Sequence, residues 1–172
     1  GIGKTPSGIP VQVNRRVMEA DLLIGVGSIV PHHILGYSGG AKIIQPGVCG
    51  AETTGRVHLL SVRRDESLLG LLDNPVREEM ELIAERVGLD VVFNTILDHQ
   101  QALIAAVFGD VRAAFSQGAA ISRDTYGVRV QQRTEVVVAG SRPCDLEFWQ
   151  AHKTLYSAER CVLDGGTIIV VT

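Results

Sequence analysis

Long apolar runs are missing from this chain. None approaches the ~18 residues that a membrane-spanning helix needs, and the first residues have neither the basic stretch nor the apolar core of a secretory leader. A membrane is therefore not an expected partner. Cysteine is scarce: Cys49, Cys144 and Cys161 stand far apart with no Cys-x-x-Cys, which excludes a disulfide framework and a thiolate zinc site. A reducing, cytoplasmic setting is expected. Positive charge is short as well. Sixteen lysines and arginines against nineteen aspartates and glutamates leave a net charge of −3, scattered rather than striped, so nucleic acid is not an expected partner. There is no internal repeat and no low-complexity segment.

What is present is enough apolar material for a core. With 172 residues, 45% of them hydrophobic, the chain has the size of one layered α/β domain, residues 1–172, with a central mixed or parallel sheet flanked by helices. It starts at Gly1 without a methionine and stops inside a strand-like run, so it reads as a piece of a longer protein.

Short apolar runs alternate with helical patterns. A short helix is predicted over 13–20, followed by a strand at Leu22-Leu23-Ile24-Gly25-Val26-Gly27 too uniformly apolar to have a wet face. Residues 41–62 are helical in pattern but broken by Pro46, Gly47 and Gly50, which predicts two short helices with His58 on the second. Asn74-Pro75 reads as a cap and first helical position for a helix ended by Gly88. Residues 89–97 and 102–108 form a predicted hairpin around Asp98-His99-Gln100-Gln101, and Asp110 caps a helix to about Tyr126. Residues 134–140 predict a central strand, 148–163 a helix with Asp164-Gly165-Gly166 as its C-cap, and 167–171 a last buried strand.

Chemistry concentrates just past the first strand, where open α/β sheets collect ligands. Gly36-Tyr37-Ser38-Gly39-Gly40 is a turn whose glycines let backbone N–H groups converge on an anion. It fits neither the dinucleotide-binding fingerprint nor the P-loop, because Lys42 has no Ser or Thr after it. His32 and His33 follow Pro31 at a strand-to-loop junction, where neighbouring side chains point in different directions, so only one of the two is expected to face a site. An imidazole is well suited to take and return a hydroxyl proton near neutral pH. His58 lacks a companion ligand at helical spacing, so no zinc-hydrolase signature is present.

The order Pro31-His32-His33-Ile34-Leu35-Gly36-Tyr37-Ser38-Gly39-Gly40-Ala41-Lys42, with His58 sixteen residues on, resembles the nickel-pincer lactate racemase family. The likeness extends over nearly the whole chain, to Phe148-Trp149-Gln150-Ala151-His152-Lys153 and to Gly165-Gly166-Thr167. The resemblance implies a racemase or epimerase of a small 2-hydroxy acid, acting by hydride transfer to and from nickel held in pyridinium-3,5-bisthiocarboxylic acid mononucleotide. By the same likeness Lys42 would tether that cofactor, His58 would bind the nickel, and His32 would be a catalytic acid/base. Tyr37, Ser38, Gly39, Gly40 and Trp149 would line the cofactor, and Gln150 and Lys153 would hold the substrate. His33 receives no role.

The resemblance also implies that the chain is the C-terminal, cofactor-tethering part of a two-domain enzyme. The missing upstream domain would bring a second catalytic histidine, an aspartate and an arginine, so these residues alone are expected not to turn over. Two other readings stay open on the residues themselves. One is a non-catalytic module whose glycine turn binds a nucleotide or phosphate. The other is a zinc hydrolase using His32, His33 and His58.

Overall fold

The computed structural model describes residues 1–62 and 67–172, which divide into two compact units, Gly1–Gly127 and Val128–Thr172. In chain order the first unit holds α1 (Arg15–Met18), β1 (Ile24–Ser28), β2 (Pro31–His32), β3 (Gly36–Tyr37), a 3-10 turn (Gly40–Ile43), α2 (Ala51–Val62), α3 (Pro75–Val87), β4 (Val91–Leu97), β5 (Leu103–Gly109) and α4 (Val111–Tyr126). The second holds β6 (Thr134–Gly140), α5 (Phe148–Ala151), α6 (Thr154–Ala158) and β7 (Val162–Val171). The α/β layering expected from the sequence is realised in each.

The sheet of the first unit has the order β1-β4-β5, with β1 parallel to β4 and β4 antiparallel to β5. The predicted hairpin is present: Asp98 Oδ1 accepts from the N–H groups of Gln100 and Ala102 and closes its turn. The predicted caps are present as well. Asn74 Oδ1 accepts from Val76 and Arg77, Asp110 Oδ1 accepts from Arg112 and Ala113, and each satisfies amides that a helix start leaves open. Val92 and Ile96 point from β4 into a core with Met80 and Ile83 of α3 and Ala114, Phe115 and Ala119 of α4. Burying each larger side chain contributes roughly 1.5–3 kcal/mol.

Three expectations are corrected. The first strand has a wet face: Gly25 is buried, whereas Ile24 is 51% and Val26 68% exposed. Among the described residues of the first unit, helices pack against one side of this sheet, and apolar residue type cannot say which side. The strand at 134–140 is not central among the described residues, since β6 pairs only with β7, in parallel. The helix predicted over 148–163 is instead two short ones, and Asp164-Gly165-Gly166 lie inside β7. The register moves from Thr134↔Val162 to Val136↔Thr167, so the extra residues bulge, with Gly165 at φ +80.

Candidate functional site

The path from β1 to the 3-10 turn is the most heavily wired stretch of the first unit. His32 ends β2 and pairs directly with Gly36 of β3. The four carbonyls that follow His33 are each taken by a residue far along the chain. Asn74 Nδ2 donates to Ile34 (3.0 Å), Arg77 Nε to Leu35 (3.1 Å), the Gly70 N–H to Gly36 (3.1 Å), and Arg77 Nη2 to Tyr37. Asn74 thus caps α3 with its oxygen and holds the histidine loop with its nitrogen. Gly36 sits at φ +71, and a Cβ there would lie 1.9 Å from the Leu71 carbonyl oxygen, so no other residue fits.

Arg77 is 3% exposed, and its guanidinium lies 3.7 Å over the Phe115 ring. Burial lowers its pKa to about 10, which leaves it charged at neutral pH. Neither Asn74 nor Arg77 was identified from the sequence as a support of this loop. The cap signal at Asn74 was legible; its second task was not, because nothing local marks a contact forty residues away.

Past the loop, the Ser38 hydroxyl donates to the Ser28 carbonyl (2.7 Å) and accepts from the Val30 N–H (2.9 Å). The Gly40 N–H donates to Oδ1 of the fully buried Asn94 (2.9 Å). Tyr37 is 2% exposed and belongs to the core, and desolvation raises its phenol pKa. These groups hold the turn against β1 and β4. The turn then carries Lys42, flanked by Ile43, which packs on β1 so closely that a Cβ at Gly25 would come 3.0 Å from Ile43 Cδ1.

His58 lies half-buried on α2 beside the buried Val57. Its pKa falls below 6.5, first because burial penalises the imidazolium and second because the positive charge of Lys42 does so too. The amine and the imidazole therefore share one electrostatic neighbourhood. A neutral ring at pH 7 keeps a lone pair for a metal, and imidazole suits nickel, copper, iron and zinc alike. Among the described residues no three His, Cys, Asp or Glu side chains gather into a metal cage.

The two adjacent histidines contradict the expectation that their side chains diverge. Their rings stack, with centroids 4.7 Å apart and planes 14° from parallel. The loop bends at this junction, so the alternation of a regular strand does not apply.

Gln150 and Lys153 lie in the second unit between β6 and β7, Gln150 on α5 and Lys153 just before α6. They meet as their spacing implies, with Lys153 Nζ donating to Gln150 Oε1, although α5 ends at Ala151. Trp149 is 72% exposed. Around His152, whose Nδ1 lies 3.3 Å from the Phe148 carbonyl oxygen, the rings of Trp149, Tyr156 and Phe148 stand at 5.9, 5.8 and 6.2 Å. This aromatic group was not singled out from the sequence.

A family model described as the lactate racemase N-terminal domain matches residues 1–70, where His32, Lys42 and His58 lie, rather than the C-terminal part expected from the sequence. The lactate racemase of Thermoanaerobacterium thermosaccharolyticum is 29% identical over 172 residues, 98% of this chain and 40% of that protein. The lactate racemase of Lactiplantibacillus plantarum is 31% identical over 99% of this chain and 41% of its own length. The chain thus spans about 40% of these relatives. The structure of the lactate racemase apoprotein from T. thermosaccharolyticum superposes with a TM-score of 0.92 at 28% identity, over 98% of this chain and 41% of that one. A protein from Thermotoga maritima shares the fold, with a TM-score of 0.74 at 24% identity over 97% of this chain and 46% of that one. The matching N-terminal model, the aligned relatives and the superposed backbone together make the chain similar to lactate racemases over nearly its whole length.

Proposed function

We propose that the protein built on this segment is a racemase or epimerase of a small 2-hydroxy acid such as lactate, using a nickel-pincer nucleotide tethered at Lys42. The observation that carries this reading is that the positive charge of Lys42 acts on the His58 imidazole, which burial also holds neutral. It supports an amine for covalent attachment and a neutral imidazole for a metal at one place, in a chain whose relatives are named lactate racemases. The donor set fits the group: one imidazole from the protein suits a metal whose other ligands come from the nucleotide.

When bound, that group would supply the acceptor and donor of hydride. The protein's own residues bind, orient and handle the proton. His32 would act as the catalytic acid/base at the substrate hydroxyl, a role that requires approach to within ~2.6–3.2 Å. Tyr37, Ser38, Gly39 and Gly40 set the turn from which Lys42 reaches the cofactor, and Trp149 offers it an exposed ring. Gln150 and Lys153 present an amide and a cation to the substrate carboxylate, contacts of the charge-assisted kind. A further domain of the same protein would contribute the second catalytic histidine.

The test uses the full-length protein, co-expressed with the enzymes that make the cofactor. Expected are a mass increment on the peptide containing Lys42, about one nickel per chain by metal analysis, and interconversion of lactate enantiomers. Nickel retained equally by wild type and by the Lys42→Ala, His58→Ala double variant would sink the assignment.

A further inference from the structure

We propose that Arg77 and Phe115 act as one positioning unit, which fixes the separation between the loop that carries His32 and the turn that carries Lys42. The catalytic importance of that separation rests on the racemase reading given above; the unit itself does not. Arg77 comes from α3 and meets the loop with two nitrogens of one planar group, Nε donating to the Leu35 carbonyl at 3.1 Å and Nη2 to the Tyr37 carbonyl. Those carbonyls flank Gly36, the residue that pairs with His32. Because the fork is rigid, it sets the place and angle of the short β3, and β3 sets the backbone of His32.

Phe115 carries the same reference point to the lysine. Its ring, on α4 and 4% exposed, lies under the Arg77 guanidinium with Cζ 3.7 Å from the centroid. Gly40, which opens the 3-10 turn, is pressed against that side chain: a Cβ there would stand 3.0 Å from Phe115 Cδ2 and 3.1 Å from its Cβ and Cγ. Lys42 follows in the same turn. The guanidinium thus touches the loop directly and the turn through one aromatic ring.

Stability alone does not call for a guanidinium here. Taking a charge out of water is costly, and an apolar side chain of similar volume is often as stable in such a place or more so. Arg77 is buried, and its Nη1 has no hydrogen-bond partner among the described residues. Buried polar groups are rarely left in that condition, and local rules of this kind are broken chiefly where position serves function. A side chain used for its fork, rather than for its net contribution to folding, fits a positioning role.

The test uses the full-length protein and variants that keep the core filled: Arg77→Met, Phe115→Leu, and Arg77→Lys, which keeps the charge but replaces the fork by one nitrogen. Ile83→Ala, a core change further along α3, controls for lost stability alone. Without cofactor or substrate, amide hydrogen exchange from Gly36 to Lys42 is expected to be about tenfold or more faster in Arg77→Met and Phe115→Leu than in the control. Exchange no faster than in Ile83→Ala overturns the proposal. In the loaded enzyme, at a temperature where circular dichroism shows every variant folded, kcat should fall about ten- to a hundredfold in the same two variants, the cost of a misplacement of about 1 Å. KM should stay within about threefold of wild type. A kcat equal to that of Ile83→Ala would reduce both residues to packing and overturn the positioning role. Arg77→Lys is expected to lie between, and it carries the comparison with Phe115→Leu if Arg77→Met does not fold; wild-type behaviour in Arg77→Lys overturns the role of the fork. The double variant Arg77→Lys, Phe115→Leu should lose no more than the worse single one, because both act through one contact, whereas multiplied losses overturn their unity. If wild type racemises no 2-hydroxy acid while exchange behaves as expected, the racemase reading fails and the positioning unit stands.

Discussion

The histidine loop of the first unit and the Phe148–Lys153 segment of the second are built on opposite plans. Between Ile34 and Tyr37 every carbonyl is bound by a residue about forty positions away or by Gly70, and the amides of Ile34 and Leu35 fold back on His32. Around Trp149 the backbone hydrogen bonds among the described residues run to residues three or four positions distant, and the side chains of Phe148 and Trp149 are largely exposed. Position in the first region is fixed at folding, when its ordering entropy is offset by burial. In the second region the polar pair Gln150 and Lys153 would, on the proposed function, exchange its mutual contact for one with a ligand. Chemistry that needs sub-ångström placement belongs to the first plan, and capture of a carboxylate tolerates the second.

The harshest way to break this contrast is Gly36→Ala. Its Cβ would collide with the Leu71 carbonyl at a backbone angle costly for alanine, and the reversal that pairs β2 with β3 would be lost. A loss of about 3 kcal/mol or more in unfolding free energy is expected by denaturant titration. Asn94→Ala comes next. It strands the buried Gly40 N–H, whose partner is the Asn94 side chain, and should cost about 2 kcal/mol by the same measurement. A change below roughly 0.5 kcal/mol would show that the turn does not depend on that anchor.

Much of this was legible in sequence, for reasons that differ by element. The capped start at Asn74, the hairpin about Asp98 and the capped start at Asp110 rest on local chemistry, hydrogen bonds spanning two to four residues, and each was correctly read. The break between α5 and α6 and the bulge at Gly165 depend on how β7 registers against β6, which no local pattern records. At the candidate site, the reading of His32, Lys42 and His58 rests on their spacing and the likeness it carries. Arg77, buried under Phe115 on a helix that otherwise reads as surface-charged, had no sequence signal, because its partners are backbone carbonyls. The stacking of His33 was hidden by the assumption of strand alternation at a place where the chain bends.

A gentler comparison sets Lys42 against His58. Removing the charge with Lys42→Gln should raise the His58 pKa towards 6.5, read from the imidazole proton shifts during an NMR titration. The sign for stability follows. The folded pKa is depressed, so as pH falls through 6.5 the unfolded chain takes up a proton that the folded one resists, and stability drops. His58→Gln should flatten this part of the pH–stability curve, and Lys42→Gln should shallow it. An unchanged His58 titration in Lys42→Gln would place the two groups apart.

The smallest stability effect is expected at Lys153, and its smallness is the point of the comparison. Its side chain is exposed, and its ammonium donates a hydrogen bond to Gln150 three residues back. Exposed polar contacts of this kind contribute little to folding, so Lys153→Ala should leave unfolding free energy within about 0.5 kcal/mol of wild type. Binding is another matter, because a charge-assisted hydrogen bond to a carboxylate contributes roughly 1.5–3 kcal/mol, on the order of ten- to hundredfold in affinity. In the loaded full-length enzyme Lys153→Ala should therefore raise KM for a 2-hydroxy acid by about that factor while its melting curve overlays that of wild type. A melting shift as large as that of Asn94→Ala, with KM unmoved, would make this segment structural and leave the substrate carboxylate to be held elsewhere.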